Sequence, residues 1–181
     1  MTQTANREYS YVLPTQHNGI TYRSRLEAKW AVFYSTLNIQ FQYEPDGYNL
    51  GGIWYLPDFF LPKQQCFIEI KPTYPTDAEE TKLSQLSIFT QKRCFLFFGG
   101  VSIPFEYPDT DDAAAYFPTG GCDYGYSWCE CPQCGFFDIQ FGGRSARCIC
   151  SCEKIGDRSS NYDSEKLLNA YEVARTYQFT K

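Results

Sequence analysis

Two acids and an amine stand close together in the middle of the chain, in segments that are otherwise apolar. Asp58 lies in Tyr55-Leu56-Pro57-Asp58-Phe59-Phe60-Leu61, and Glu69 and Lys71 lie in Phe67-Ile68-Glu69-Ile70-Lys71-Pro72. In a strand, residues two apart share a face, so Glu69 and Lys71 point one way while Ile68 and Ile70 point the other. An antiparallel pairing across the turn at Pro62 to Gln64 sets Asp58 beside Glu69. Two hard carboxylates suit Mg²⁺ (or Mn²⁺), which favours oxygen ligands and retained water. A neighbouring lysine can orient or help deprotonate an attacking water and offset phosphate charge. The chemistry expected of such a trio is metal-assisted hydrolysis of a phosphodiester.

A second group of reactive side chains lies further on. Seven of the nine cysteines fall between Cys122 and Cys152 at short spacings, a distribution that fits metal ligation better than a disulfide framework. Cys131-Pro132-Gln133-Cys134-Gly135 aims two thiolates at one ion. With Gly142-Gly143 as a hairpin turn between strands 136–141 and 144–149, Cys150 and Cys152 arrive level with Cys134. The expected ligands of one structural Zn²⁺ are therefore Cys131, Cys134, Cys150 and Cys152, and a bulge would put Cys148 in place of one of them. Cys122 and Cys129 are spare. Cys66 and Cys94, alone in apolar strands, read as buried small hydrophobes. This module is expected either to contact substrate through Arg144 and Arg147 or simply to stabilise a small hairpin.

The elements that must position these groups follow from periodicity. Ser24 opens a helix with Leu26, Trp30, Phe33 and Leu37 on one side, ending near Asn38. Glu27, three residues after Ser24, fits a capping box. Strands are expected at 40–44, 53–61 and 65–71, then a helix over 77–91 and a doubly buried strand over 93–98. The first hundred residues thus read α-β-β-β-α-β. Residues 101–121 read as a linker, and a final amphipathic helix runs from Ser164 to about Phe179. The expected division is 1–118 as core, 119–153 as zinc ribbon and 154–181 as a helix packing back on the core.

Pro57-Asp58 and Glu69-Ile70-Lys71, in that order of elements, resemble the PD-(D/E)XK nuclease superfamily over roughly residues 22–98. The resemblance implies a restriction-endonuclease-like α/β core with a mixed sheet. It implies a metal held by Asp58, Glu69 and the carbonyl of Ile70, with Lys71 as catalytic lysine. It also implies products with a 5′-phosphate and a 3′-hydroxyl. Glu27 occupies the position of a further acid that many members carry on the first helix, although a purely capping role accounts for it too. Arg23 and Arg25 can contact phosphate or merely solvate a helix end. Gln85 and Lys82 are weaker candidates on the second helix, where an ordinary helix surface explains both. His17, the sole histidine, reads as a loop residue, and no nucleophilic triad is supported.

Net charge is −5, which argues against a simple non-specific nucleic-acid binder, since Lys and Arg supply most of that affinity. It leaves room for a nuclease, most naturally a DNA endonuclease, whose site must itself concentrate acids. The competing expectations are a catalytically silent nuclease-like module that binds nucleic acid or acts as an adaptor, and a zinc ribbon for protein contact in a phage or mobile element. A homodimer is possible, as is a protein partner. No apolar stretch approaches the roughly 20 residues of a membrane span, and the N-terminus lacks the basic-then-apolar order of a signal peptide. A cytoplasmic location is the resulting expectation.

Overall fold

The computed structural model describes residues 13–102, 113–141, 150, 152 and 161–180. A six-stranded mixed sheet forms its middle layer. Its strands are β3 (Gln42–Tyr43), β6 (Phe59–Leu61), β7 (Cys66–Lys71), β8 (Arg93–Phe98), β9 (Ala113–Tyr116) and β10 (Cys122–Tyr124), in the spatial order β10-β9-β8-β7-β6-β3. Only β7 and β8 run parallel; every other neighbouring pair in this sheet is antiparallel. A parallel pair needs a crossover, and α2 (Asp77–Thr90) supplies it. With α1 (Arg25–Thr36) before β3, the helices and sheet strands up to residue 98 run α1-β3-β6-β7-α2-β8, as the periodicity predicts.

Period-two alternation divides the side chains between two cores. Ile68, Ile70, Phe95 and Phe97 face a layer made of α1, α3 (Glu165–Thr176) and the hairpin of β11 (Tyr126–Glu130) with β12 (Phe137–Phe141). Phe67, Cys94 and Leu96 face α2 through Leu83 and Leu86, and a small hairpin of β4 (Tyr48–Leu50) and β5 (Ile53–Tyr55) through Leu50. Glu69 and Lys71 belong by register to this second face. Cys66 and Cys94 are fully buried, as read from their apolar surroundings, and burial pushes both thiols up.

Several expectations are corrected. The stretch read as one strand over 53–61 is two: Leu56-Pro57-Asp58 interrupts it, β5 pairs with β4, and only β6 enters the main sheet. The pattern is apolar apart from Asp58, but Pro57 has no amide to donate to a ladder. Within the segment read as a linker, Ala113–Tyr116 is a fully buried strand paired with β8. Three successive alanines carry little strand propensity, so neighbouring layers decide this element. The expected boundary at 118–119 falls between the paired strands β9 and β10. His17 is not a loop residue. It ends β1 (Thr15–His17), which pairs with β2 (Ile20–Tyr22) across Asn18-Gly19, and its ring packs edge-on against Tyr177 and Phe179. Asn18 and Gly19 both take positive φ, the signature of a two-residue hairpin turn. Among the described residues, no helix is long and apolar enough to cross a membrane.

The cysteine knuckle closes the β11–β12 hairpin, where Glu130 pairs with Phe137. Far from being loosely attached, this hairpin inserts Trp128, wholly buried, beside Phe33 and Tyr34 of α1. Arg93 of β8 forms an ion pair with buried Asp138 at 3.1 Å, and Gln64 donates to the carbonyl of Phe137 at 2.8 Å. The Gly142-Gly143 turn, the strand read over 144–149, and Arg144, Arg147 and Cys148 lie outside the described residues.

Candidate functional site

The polypeptide places Asp58 at the threshold of β6, just before its ladder with β7 begins at Phe59 and Ile68. Continuing that register by one residue sets Asp58 across from Glu69. The amide of Ile70 donates to Asp58 Oδ2 at 2.7 Å, so β7 itself fixes the carboxylate. Asp58 is 2% exposed and Glu69 4%. Glu69 Oε1 forms an ion pair with Lys71 Nζ at 2.7 Å, and Glu69 Oε2 accepts from the hydroxyl of Tyr55 at 2.7 Å. Lys71 also reaches Glu79 at 3.5 Å, in the first turn of α2.

The third acid comes from α1. Ser24 caps that helix by accepting from the amide of Glu27 at 3.1 Å, but the reciprocal half of a capping box is not made. Glu27 accepts instead from the amide of Arg23 at 3.2 Å, from Ser24 Oγ at 2.7 Å and from Tyr43 OH at 2.5 Å. It is 6% exposed, unusual for a residue whose only task is to cap a helix at the surface. Arg23 bridges the cluster, its guanidinium paired with Asp58 and, at 2.7 Å, with Glu44.

These groups line a cleft of about 340 Å³ bounded by Arg23, Ser24, Glu27, Asp58, Ile70 and Lys71. It opens at the carboxyl ends of the parallel strands β7 and β8, where open α/β sheets commonly bind ligands. Electrostatics there are unbalanced. Burial, then the charges of Glu69 and Glu27, hold the Asp58 carboxyl well above the ordinary range, against the opposing pull of the Ile70 amide and Arg23. Burial pulls the Lys71 ammonium down, yet Glu69, with Asp58 and Glu79, raises it above its usual value. The surrounding acids thus favour the charged form of Lys71, suited to holding negative charge.

Of the other residues singled out from sequence, Arg25 opens α1 with a buried Nε that has no hydrogen-bond partner among the described residues. Gln85 is exposed and lines a different depression, with Glu80 and Tyr116, and Lys82 is half-exposed on α2. Sequence reasoning missed Tyr43 and Tyr55, each of which donates to a candidate acid, and Glu44. The alternation of Phe41 with Tyr43 hinted that Tyr43 is inward-facing. Nothing local marks Tyr55, because its partner is brought up by the sheet.

The cysteine site is more sharply defined. The thiols of Cys131, Cys134, Cys150 and Cys152 all lie within 4.8 Å of one another, the set expected from hairpin register. Among the described residues no other group of three or more Cys, His, Asp or Glu side chains converges this closely; Glu27, Asp58 and Glu69 are each turned toward protein partners. Gly135, with φ of +70°, turns the knuckle. Burial raises the Cys131 thiol, but the amides of Cys134 and Gln133 and the thiols of Cys150 and Cys134 outweigh it and bring it down to about 7. Four such sulfurs can bind a metal such as zinc, leaving no open position for water. Cys122 is exposed on β10 and Cys129 buried in β11, both apart from this group. No protein-family model matches the chain, and neither does any curated protein or solved structure with which it was compared.

Proposed function

We propose that this chain is a divalent-metal-dependent nuclease hydrolysing phosphodiester bonds, most naturally in DNA, with a structural zinc in its cysteine knuckle. The observation that carries the reading is the cleft in which Asp58, Glu27 and Lys71 meet, with Glu69 ion-paired to Lys71. Burying three acids together is costly unless a cation compensates them. Arg23 and Lys71 offset part of that charge, yet the Asp58 carboxyl remains strained upward. The donor set is all oxygen, as Mg²⁺ or Mn²⁺ requires. The order α1-β3-β6-β7-α2-β8 agrees with a restriction-endonuclease-like core.

On this reading Asp58 and Glu69, with the Ile70 carbonyl, would hold the metal, and Glu27 would offer a further carboxylate. A divalent ion bound there would supply Lewis acidity and a more acidic water. Lys71, kept protonated, places positive charge against the phosphoryl oxygens. Arg23, about half exposed at the rim, releases Asp58 and turns to a substrate phosphate. The N-terminus of α1, with its cap Ser24 in the cleft, adds a favourable field for an anion. A homodimer would serve cleavage of both strands of a duplex.

Labelled duplex DNA, single-stranded DNA and RNA incubated with Mg²⁺ or Mn²⁺ test this. Cleavage should require the metal and fall by about 10²–10³-fold in Lys71→Ala, with thermal unfolding still cooperative. The second reading, a catalytically silent module that binds nucleic acid or a protein partner, is favoured by one feature: every candidate acid already has protein partners. It predicts binding without cleavage under all metal conditions.

A further inference from the structure

The partners that already occupy the three acids of the cleft are of two kinds. Asp58 accepts the Ile70 amide on Oδ2 and the Arg23 guanidinium on Oδ1. Glu69 holds the Tyr55 hydroxyl and Lys71. Glu27 holds the hydroxyls of Ser24 and Tyr43 together with the Arg23 amide. A neutral donor leaves a carboxylate its charge, whereas a cationic one offsets that charge and repels a second cation. Arg23 and Lys71 are thus the partners that compete with a divalent ion. Their side chains are 53% and 27% exposed, so Arg23 is the freer to leave.

Two carboxylates hold Arg23 in place. Its Nε pairs with Glu44 at 2.7 Å while the other end of the guanidinium reaches Asp58. The Glu44 amide donates to the Asp58 carbonyl at 2.8 Å, so main chain fixes the two posts to each other and Arg23 spans them. Glu44, just after β3, takes a φ of +45°, left-handed backbone that a residue with a side chain seldom adopts. Withdrawing Arg23 by itself would leave Asp58, 2% exposed, a buried charge without a counter-ion, which is strongly unfavourable. Adding a divalent cation by itself would set it against the guanidinium. A phosphodiester arriving with the cation removes both obstacles. The guanidinium exchanges Asp58 for a phosphate, which its forked N–H donors match, and Asp58 is left to the cation.

We propose that Arg23 is an interlock, a built-in counter-ion that holds the cation site until a phosphodiester draws it away, so that divalent cation and phosphodiester bind cooperatively. The inference rests on the nuclease reading for the identity of the two ligands and adds how that site is regulated. It also accounts for the partnered state of every candidate acid, the feature that favours a silent module. By linkage the effect is reciprocal: the cation raises affinity for the phosphodiester by the same factor. Neither ligand then binds well alone, which keeps the acids capped in the absence of substrate.

The test titrates the intact chain with Mn²⁺, following the paramagnetic resonance of the free ion. It is run with and without saturating dimethyl phosphate, an inert phosphodiester, with chloride keeping the ionic strength equal. The unaltered chain should bind Mn²⁺ about tenfold more tightly when dimethyl phosphate is present. Arg23→Gln opens the site permanently, so it should bind Mn²⁺ about tenfold more tightly without dimethyl phosphate and gain about twofold or less from adding it. Lys92→Gln makes the same change in net charge beyond the far end of β8 and should match the unaltered chain in both respects. Mn²⁺ affinity indifferent to dimethyl phosphate, or equal coupling in Arg23→Gln, would overturn the interlock and leave the cation site standing. Coupling that disappears in Arg23→Gln, with no nucleic acid cleaved in Mn²⁺, would sink the nuclease reading alone. Failure of Arg23→Gln to bind Mn²⁺ at all would sink both.

Discussion

Replacing Asp58 with asparagine should make the metal-free protein more stable and the metal-loaded protein less so. Asp58 is 2% exposed, and burial with the nearby charges of Glu69 and Glu27 raises its carboxyl well above the ordinary range. Each unit of such a shift corresponds to about 1.4 kcal/mol of disfavour for the charged form. Asparagine keeps an oxygen for the Ile70 amide, which now donates to Asp58 Oδ2, while removing the charge. Arg23 loses a partner but retains Glu44 and is half exposed, so that loss is small. A net gain of about 1 kcal/mol is expected, in the range typical of relieving a strained functional site. For a chain of this size it appears as a rise of roughly 2–4 °C in Tm. The pH dependence has a definite sign. The folded carboxyl titrates above its unfolded value of about 3.9, so the native state holds the extra proton between the two. Stability from this group therefore falls as pH rises through that window, and the advantage of Asp58→Asn grows as pH rises from about 4. Saturating Mn²⁺ should then reverse the order, since a ligand at a hundredfold excess over its Kd adds about 2.7 kcal/mol to the native state that binds it. Differential scanning fluorimetry in EDTA and in Mn²⁺ reads both arms. An Asp58→Asn protein that melts lower in EDTA, or Mn²⁺ raising both proteins equally, would refute the reasoning.

Tyr55→Phe removes the donor to Glu69 Oε2 and should weaken Mn²⁺ binding about 10-fold, as loss of a partner to a ligand does, with calorimetric titration as the check. The chain should carry one zinc per molecule by elemental analysis. Cys134→Ser should lose it, lower Tm and shift the emission of Trp128, now fully buried in the same hairpin. The Cys131 thiol is brought down to about 7 but those of Cys150 and Cys152 are raised, so zinc affinity should fall continuously as pH drops through neutrality and protons compete for the sulfurs, measurable with a chromogenic chelator. Arg93→Ala strips the cationic partner from Asp138, which is 0% exposed. It should cost about 3 kcal/mol and lower Tm by roughly 6–12 °C; an unchanged melting curve would mean that the Arg93–Asp138 pair does not anchor the β11–β12 hairpin.

What could be read without coordinates was whatever a short window encodes. The alternation of Ile68, Glu69, Ile70 and Lys71 fixes which side chains share a face, because the strand period is two. The apolar run Cys94 to Phe98 specifies a strand covered on both sides, and α1 and α2 announce themselves by spacing. The short Cys-x-x-Cys knuckle, with Cys150 and Cys152 further on, predicted the four thiols that meet. Tertiary structure decided the rest. Ala113–Tyr116 is a strand only because β8 offers a free edge between two apolar layers. Tyr55 touches Glu69 across fourteen residues of chain, and Arg23 meets Asp58 across thirty-five. No local propensity foretells such contacts, since they arise only when the sheet brings distant segments to one edge. Residue types name the groups that can do chemistry, but packing decides which of them face one another and which face the solvent.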